Sequence, residues 1–466
     1  MKKTINIWLL LGFLISSVAF FGCEDDEDPA NNTPITVKAV YLQDVDSDIP
    51  DRQVDFARLG QVLRLEGSGF AGIRKVYVNG YDTYFNPVYV TDNNMLIQLS
   101  GDTPTIEAED DVRNTIRFVK TGTEYVYDFE IRAASPAISS ISHTLPQAGE
   151  SIIIYGSGLV EISKVVFPGD VEVTEGITSD EEGEFVIVTV PDGLTESGSL
   201  FVEGSNGGAY SPAYFNFKEG VILDFDGNGQ QGFWSWSEDG SMINDEDLES
   251  EVIGMGPVSQ GTYVAHRPDR IASFPTNSSR NTEVWTAGND VDDWRGQLTS
   301  YIPATTPVNE VAFQFDVYVS GTWSGTGFLK LCLHNSFNGG EWSGDSYNYV
   351  PWVVDGEIVP FETDGWVTVT VPFSDFYSFS DVEEGYTFED VLVAREESSY
   401  KNFGIYFENT DFTLANITGN DSDATEFPSS ETSVDVFTDN WRVVSLEQPT
   451  YTDFPEGGEQ TEEVVE

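Results

Sequence analysis

Nine of the ten tryptophans lie between Trp234 and Trp441, the other being Trp8. Several of the nine stand among residues that a buried strand would not use. Trp323 is in "SGTWSGTG", Trp342 in "NGGEWSGDS", and Tyr347, Tyr349 and Trp352 cluster in "YNYVPW". Glycine and serine around a large ring indicate a loop or a strand edge, where an exposed ring implies a partner. A neutral sugar fits that chemistry: its C–H face stacks on an aromatic ring while its rim hydroxyls seek Asp, Asn, Gln and Arg. Burying about 100 Å² on one ring is worth ~2.5 kcal/mol before ordering costs, so two or three rings predict affinities between millimolar and ~10 µM. Trp366, leading "WVTVTVPF", and Trp441, in "TDNWRVV", sit in alternating strands and are expected to pack in the core.

Other chemistries find less support. With 79 carboxylates in the chain, suggestive pairs are unavoidable, so no glycosidase dyad can be inferred from proximity in sequence. "DEDLES" at 245–250 lacks the spacing and alternation of a hydrolase signature. His143, His266 and His334 are scattered without metal-ligand spacing. Cys332, in the alternating "LKLCLHN", reads as a small buried apolar side chain. A net charge of −57 excludes nucleic acid as a partner and disfavours anionic polysaccharides. "DFDGNG" puts Asp224, Asp226, Asn228 and Gly229 at the first, third, fifth and sixth places of a calcium loop. Ser235 at the twelfth place argues against an EF-hand, leaving a simple turn or a structural calcium ion shared with Asp439.

The elements that must position these residues are strands. Short alternating runs such as "QVLRLEG", "FVIVTV" and "VAFQFDVYV" recur, glycine and proline punctuate them, and long helical periods are absent, so the chain is expected to be all-β. Residues 60–80, "GQVLRLEGSGFAGIRKVYVNG", repeat at 149–169 as "GESIIIYGSGLVEISKVVFPG", an offset of 89 throughout. Each copy is strand, "GSG" turn, strand, within a unit suited to a small β-sandwich. The glycines are expected to supply positive φ in the turn. At the N-terminus, Lys2 and Lys3 precede an apolar stretch that ends at Gly22-Cys23, a secretory signal, and five acidic residues, Glu24 to Asp28, follow the cysteine.

Three resemblances join these observations. "FFGC" approximates the lipobox of bacterial lipoproteins, and the acidic run after it resembles the surface-export signal of Bacteroidetes lipoproteins. "GSGF" and "GSGL" followed by I-x-K-V resemble the IPT/TIG immunoglobulin-like fold. The order of modules, with "ILDFDGN", "YVPWV", "GWVTVTVPFSDF" and "TDNWRVV" in the last, resembles the surface glycan-binding proteins of Bacteroidetes polysaccharide utilisation loci. That resemblance implies two IPT/TIG β-sandwiches followed by a larger carbohydrate-binding-module-like β-sandwich. The implied boundaries are 1–22 signal peptide, 23–33 acidic linker, 34–134 and 135–218 Ig-like domains, 219–446 glycan-binding domain and 447–466 acidic disordered tail. It implies a lipid on Cys23 and display on the outer membrane facing the exterior. It also implies a neutral polysaccharide ligand of the β-glucan, xyloglucan or mannan type, no catalysis, and a TonB-dependent transporter with its lipoprotein partner. Trp323, Trp352 and Tyr349 are carried over as the sugar platform, with Trp342 and Trp294 as further candidates. No cofactor is expected beyond a structural calcium on Asp224, Asp226 and Asp439. A surface glycoside hydrolase and an adhesin are the alternatives.

Overall fold

The computed structural model describes residues 33–232, 241–250, 261–273, 280–288, 291–335, 344–418, 422–452 and 454. Cys23 and the acidic run lie outside them. The chain divides into two compact units, Met1–Ala134 with Phe454–Glu466 and Ser135–Asp453.

The first unit is a sandwich built from β1 (Thr36–Gln43), β2 (Asp51–Gln53), β3 (Phe56–Arg58), β4 (Val62–Ser68), β5 (Lys75–Val78), β6 (Tyr81–Thr83), β7 (Asn94–Gln98), β8 (Thr115–Lys120), β9 (Thr123–Asp128) and β10 (Glu130–Arg132). One sheet runs β2-β1-β4-β7, the other β6-β5-β8-β9, and β10 pairs in parallel with β3. Alternation does the work expected of it: Leu63 and Leu65 face Val76, Val78, Ile116 and Phe118 across a dry interior.

The second unit opens with the repeat copy: β11 (Ala137–Ile141), β12 (Ser151–Ser157), β13 (Lys164–Phe167), β14 (Val171–Val173), β15 (Thr178–Ser179), β16 (Phe185–Thr189), β17 (Phe201–Gly204) and β18 (Gly207–Tyr210). Its sheets are β11-β12-β16-β15 and β14-β13-β17-β18. The repeated glycines have two jobs. Gly69 and Gly158 do hold positive φ, 75° and 67°. Gly67 and Gly156 are needed for close approach, because a Cβ would stand 1.9 Å from the carbonyl oxygens of Thr36 and Ala137.

The same unit continues into a larger sandwich: β19 (Val221–Leu223), β20 (Val264–His266), β21 (Asn281–Trp285), β22 (Val311–Val319), β23 (Phe328–Cys332), β24 (Ser346–Tyr349), β25 (Val353–Val354), β26 (Glu357–Ile358), β27 (Val367–Pro372), β28 (Gly404–Glu408), β29 (Phe412–Thr413), β30 (Glu426–Phe427) and β31 (Val436–Ser445). One sheet is β19-β31-β22-β27 with β20 beside β31, and the facing sheet is β21-β28-β23-β24. Phe313, Phe315, Val317, Trp441 and Val443 of the first pack on Val284, Leu329, Leu331, Ile405 and Phe407 of the second.

The other face of β22 and β31 is also buried, against the repeat domain before it. Ala312 and Val444 join that domain's core. Beside them Asp316 accepts from Arg442 Nη2 at 2.9 Å and pairs with His143 Nε2 at 3.6 Å, while His143 Nδ1 meets Glu150 at 3.1 Å. Thr144, Gln314 and Thr368 complete the network, and the Thr368 N–H donates to the Ser142 carbonyl at 2.7 Å. Burial opposes charge on His143, but the carboxylates of Asp316 and Glu150 prevail and raise its pKa to about 9. Asp316, although buried, is held well below the usual carboxylate range by Arg442 and then His143.

Part of the stretch expected as a disordered tail, 447–466, is seated instead, because it carries rings that find apolar surface. Gln448 donates to the Ile138 carbonyl at 2.8 Å, and Tyr451 packs on Phe201 at 5.2 Å. In the other unit Phe454 stacks on Phe56 at 4.6 Å under the Arg52 guanidinium.

Candidate functional site

The structure corrects the expected platform. Trp323 and Trp352 are fully buried and Trp294 is 2% exposed. Trp323 pairs by backbone with Phe361, stacks on Phe407 at 5.6 Å and donates its indole N–H to the Thr326 carbonyl at 2.8 Å. Trp352 packs on Phe412 and Phe427 and donates to the Gly327 carbonyl at 3.1 Å. Tyr349 is half-buried against Phe315, Trp323 and Phe361, and burial pushes its phenol well above the ordinary range. Small flanking residues let these rings fold inward beneath their own loops, where burying apolar area outweighs the propensity of the loop. Trp285, Trp366 and Trp441 are buried as well, so every described tryptophan of this domain is core. Trp342, with Trp234 and Trp236, lies outside the described residues.

The second face of the β21-β28-β23-β24 sheet, turned away from the main core, is buried and rich in polar groups. Register puts Lys330 opposite Tyr406 and Asn348, and Cys332 opposite Gly404 and Ser346. Lys330 Nζ lies 3.0 Å from Glu408, both without exposure, and Glu408 also accepts from Thr410 at 2.9 Å. Next along the sheet, Arg280 lies 3.2 Å from Glu283, which accepts the indole N–H of Trp285 at 2.9 Å. Trp285, Tyr406, Cys332 and Met242 form a small apolar cluster among these charges. Burial drives the Tyr406 phenol and the Cys332 thiol well above their usual ranges, so both are neutral and unreactive. A buried face this polar fixes side chains in one arrangement, the condition for presenting ligand groups from its rim.

At one end of that sheet a second buried pair staples the rim together. Arg395, on the helix Phe388–Glu397, reaches Asp292 at 2.6 Å and also donates to the carbonyls of Leu333 and Lys401. Its guanidinium lies 3.8 Å over the Trp294 ring, so Trp294 supports the staple from below. Asp292 accepts in turn from Thr286 Oγ1 and from the Phe403 N–H at 3.3 Å. Four segments are thereby fixed: the ends of β21 and β23, the start of β28 and the loop between helix and β28. Tyr400 stands on that loop, 61% exposed, and its carbonyl accepts the Asn335 N–H at 3.3 Å. Asn335 accepts from Arg280 at 2.8 Å, and His334 pairs with Asp345 at 2.5 Å. Tyr400 was not singled out in the sequence. Its signal was there, a tyrosine among serines in "EESSYKN", of the same kind that misled at Trp323.

The carboxylates expected to hold calcium are hydrogen-bonded within their own turn and strand. Asp224 caps the turn, accepting the N–H groups of Asp226 and Asn228 at 3.0 and 2.8 Å, and Asp226 accepts the Thr262 N–H at 3.0 Å. Asp439 is buried, bonded to Asn440, and burial pushes its carboxyl well above the usual range. Among the described residues no three His, Cys, Asp or Glu side chains converge as a metal ion requires.

The last domain is thus a carbohydrate-binding-module-like β-sandwich that follows two immunoglobulin-like sandwiches in the chain. Residues 215–445 match the family described as surface glycan-binding protein B xyloglucan binding domain. The fold is similar to the surface glycan-binding protein PbSGBP-B from Prevotella bryantii, with a TM-score of 0.60 at 18% identity, covering 89% of this chain and 99% of that one. An IPT/TIG domain-containing protein of Bacteroides ovatus is 24% identical over 323 residues, 68% of this chain and 54% of the relative, so the chain spans about half the length of the curated relative it matches. Residues 215–445 are thus similar to the glycan-binding domain of that family, and the fold of the chain is similar to that of a surface glycan-binding protein.

Proposed function

We propose that the protein is held on the outer membrane by a lipid on Cys23 and binds a neutral β-glucan of the xyloglucan type through its last sandwich. There it presents the chain to a TonB-dependent transporter and that transporter's lipoprotein partner. The family matched by residues 215–445 supports the ligand class, and the acidity of the protein suits an uncharged polymer. The observation that supports the site is that the described tryptophans are all packed, while Tyr400 stands exposed on the stapled rim. We assign the stacking role to Tyr400 together with Trp342, with Asn335, Asp345 and Arg280 as polar partners near it.

Titration of the unlipidated chain with xyloglucan oligosaccharides tests the assignment. Tyr400→Ala and Trp342→Ala each lose about 2 kcal/mol of affinity, a factor of about 30, with the unfolding midpoint unchanged. Full affinity in both variants overturns the site. Binding that is absent from the parent chain overturns the ligand class and favours the adhesin alternative.

A further inference from the structure

We propose that the loop between β6 and β7 is a membrane contact: Tyr84, Val88 and Tyr89 rest in the headgroup region of the lipid surface that holds the protein. The inference builds on the reading of Cys23 as the anchor and adds a second, non-covalent point of attachment.

Tyr84, Val88 and Tyr89 are 80%, 82% and 58% exposed. Their loop is ordered despite that exposure. Asn86 accepts the Val88 N–H at 3.0 Å through its side chain and the Tyr89 N–H at 3.0 Å through its carbonyl. The Val90 N–H donates to the Pro87 carbonyl at 3.2 Å, and Val90 bridges to Met95. Phe85, between the exposed rings, is packed against the core and pins the loop. The rings are therefore held outward at little further ordering cost.

Strand register places this loop at the end of the sandwich where the chain enters. Thr36 at the start of β1 pairs with Ser68 at the end of β4, Glu66 with Asn94 at the start of β7, and Val76 near the start of β5 with Thr83 at the end of β6. The Phe70 N–H reaches the Asp92 carbonyl at 3.1 Å, and Gly69 lies against Pro34 and Thr33. Cys23 precedes Thr33 by ten residues, a tether of at most ~35 Å when fully extended. A lipid on Cys23 thus keeps this end, and not the end from which β10 leaves, near the bilayer.

Size and chemistry select a lipid surface over a protein. Three such side chains offer roughly 300 to 400 Å², about half of what one partner contributes to a standard protein interface. Tyrosine is enriched at headgroup depth, where its ring is covered and its hydroxyl stays wet. Lys38, Arg74 and Lys75 lie at the same end and suit lipid phosphates, while the acidic groups there include Asp82, paired with Lys75 at 2.5 Å, and Glu66, paired with Lys38 at 3.3 Å.

The test uses the lipidated full chain reconstituted in phosphatidylcholine vesicles, with Val88→Cys carrying an environment-sensitive fluorophore. Selective labelling is possible because Cys332 is buried. Val126→Cys, 48% exposed and midway along β9, is the control. The label at position 88 should shift to the blue, brighten several-fold relative to protein in buffer, and be quenched by a lipid-borne quencher, while the label at 126 does neither. Cofractionation of protein with vesicles reports the anchor separately. No change at position 88, or equal change at both positions, refutes the contact. A change that appears only when an outer-membrane protein or a xyloglucan oligosaccharide is added refutes it in favour of that occupant.

Discussion

Replacing Trp352 with alanine separates a packed ring from a sugar platform, and the structure fixes the size of the effect. The side chain is fully buried, touches Phe412 at 5.8 Å and Phe427 at 5.0 Å, and satisfies the Gly327 carbonyl. Losing its apolar area and leaving a cavity costs about 3 to 5 kcal/mol. The orphaned carbonyl adds about 1 kcal/mol if water cannot reach it. Against a total stability of ~5–15 kcal/mol, the folded population of this sandwich falls sharply. Trp352→Phe keeps most of the area and loses the donor, so its cost is smaller. The readout is convenient because every described tryptophan belongs to this sandwich, so their fluorescence during guanidinium unfolding reports on it. Glycan affinity, measured where Trp352→Ala is still folded, stays within about twofold of the parent. A variant with an unshifted midpoint and abolished binding would refute the placement of the ring.

Three further outcomes follow from the charges and the domain division. Lys330→Met leaves Glu408 buried and uncompensated and lowers stability by about 3 to 5 kcal/mol, whereas adding Glu408→Gln restores much of the loss; equal costs in a double-mutant cycle would mean the pair is not coupled. Because the pKa of His143 is raised to about 9, its contribution is complete below about pH 6.5 and is lost as pH rises through about 9, an effect of up to about 3 kcal/mol. Denaturation midpoints from pH 6 to 10 fall more steeply for the parent than for His143→Gln, and parallel curves would contradict the pairing with Asp316 and Glu150. A fragment of residues 34–218 gives no heat on titration with xyloglucan oligosaccharides, and binding comparable to the full chain would move the site out of the last sandwich.

The fold was legible where one residue pattern answers to one physical demand. The repeat at 60–80 and 149–169 told of two related sandwiches because alternation sets the buried face and because Gly67 and Gly156 have no substitute against a facing carbonyl. The site was less legible, and Trp323 shows why. Its neighbours "SGT" and "SGTG" describe the backbone around the ring, which is a loop, but the direction of the ring depends on Phe361, Tyr349 and Phe407, partners far along the chain. Local composition is silent on such long-range partners, so the same signal was false at Trp323 and went unused at Tyr400.

β22 carries the same lesson with a further consequence. "VAFQFDVYV" alternates, which usually means one dry face and one wet face. Here Gln314 and Asp316 mark a second buried face whose partners, Thr144 and His143, come from the preceding repeat domain. The polar residues in that strand are polar because they meet Arg442 and His143 without water, and removing Arg442 leaves the buried Asp316 with His143 as its remaining cation. Neutral isosteres pack more simply, so what the charged network adds is direction: hydrogen bonds of fixed geometry that admit one docking of the two domains. The last sandwich therefore has its orientation set by the domain it follows, and the two belong to one compact unit, Ser135–Asp453.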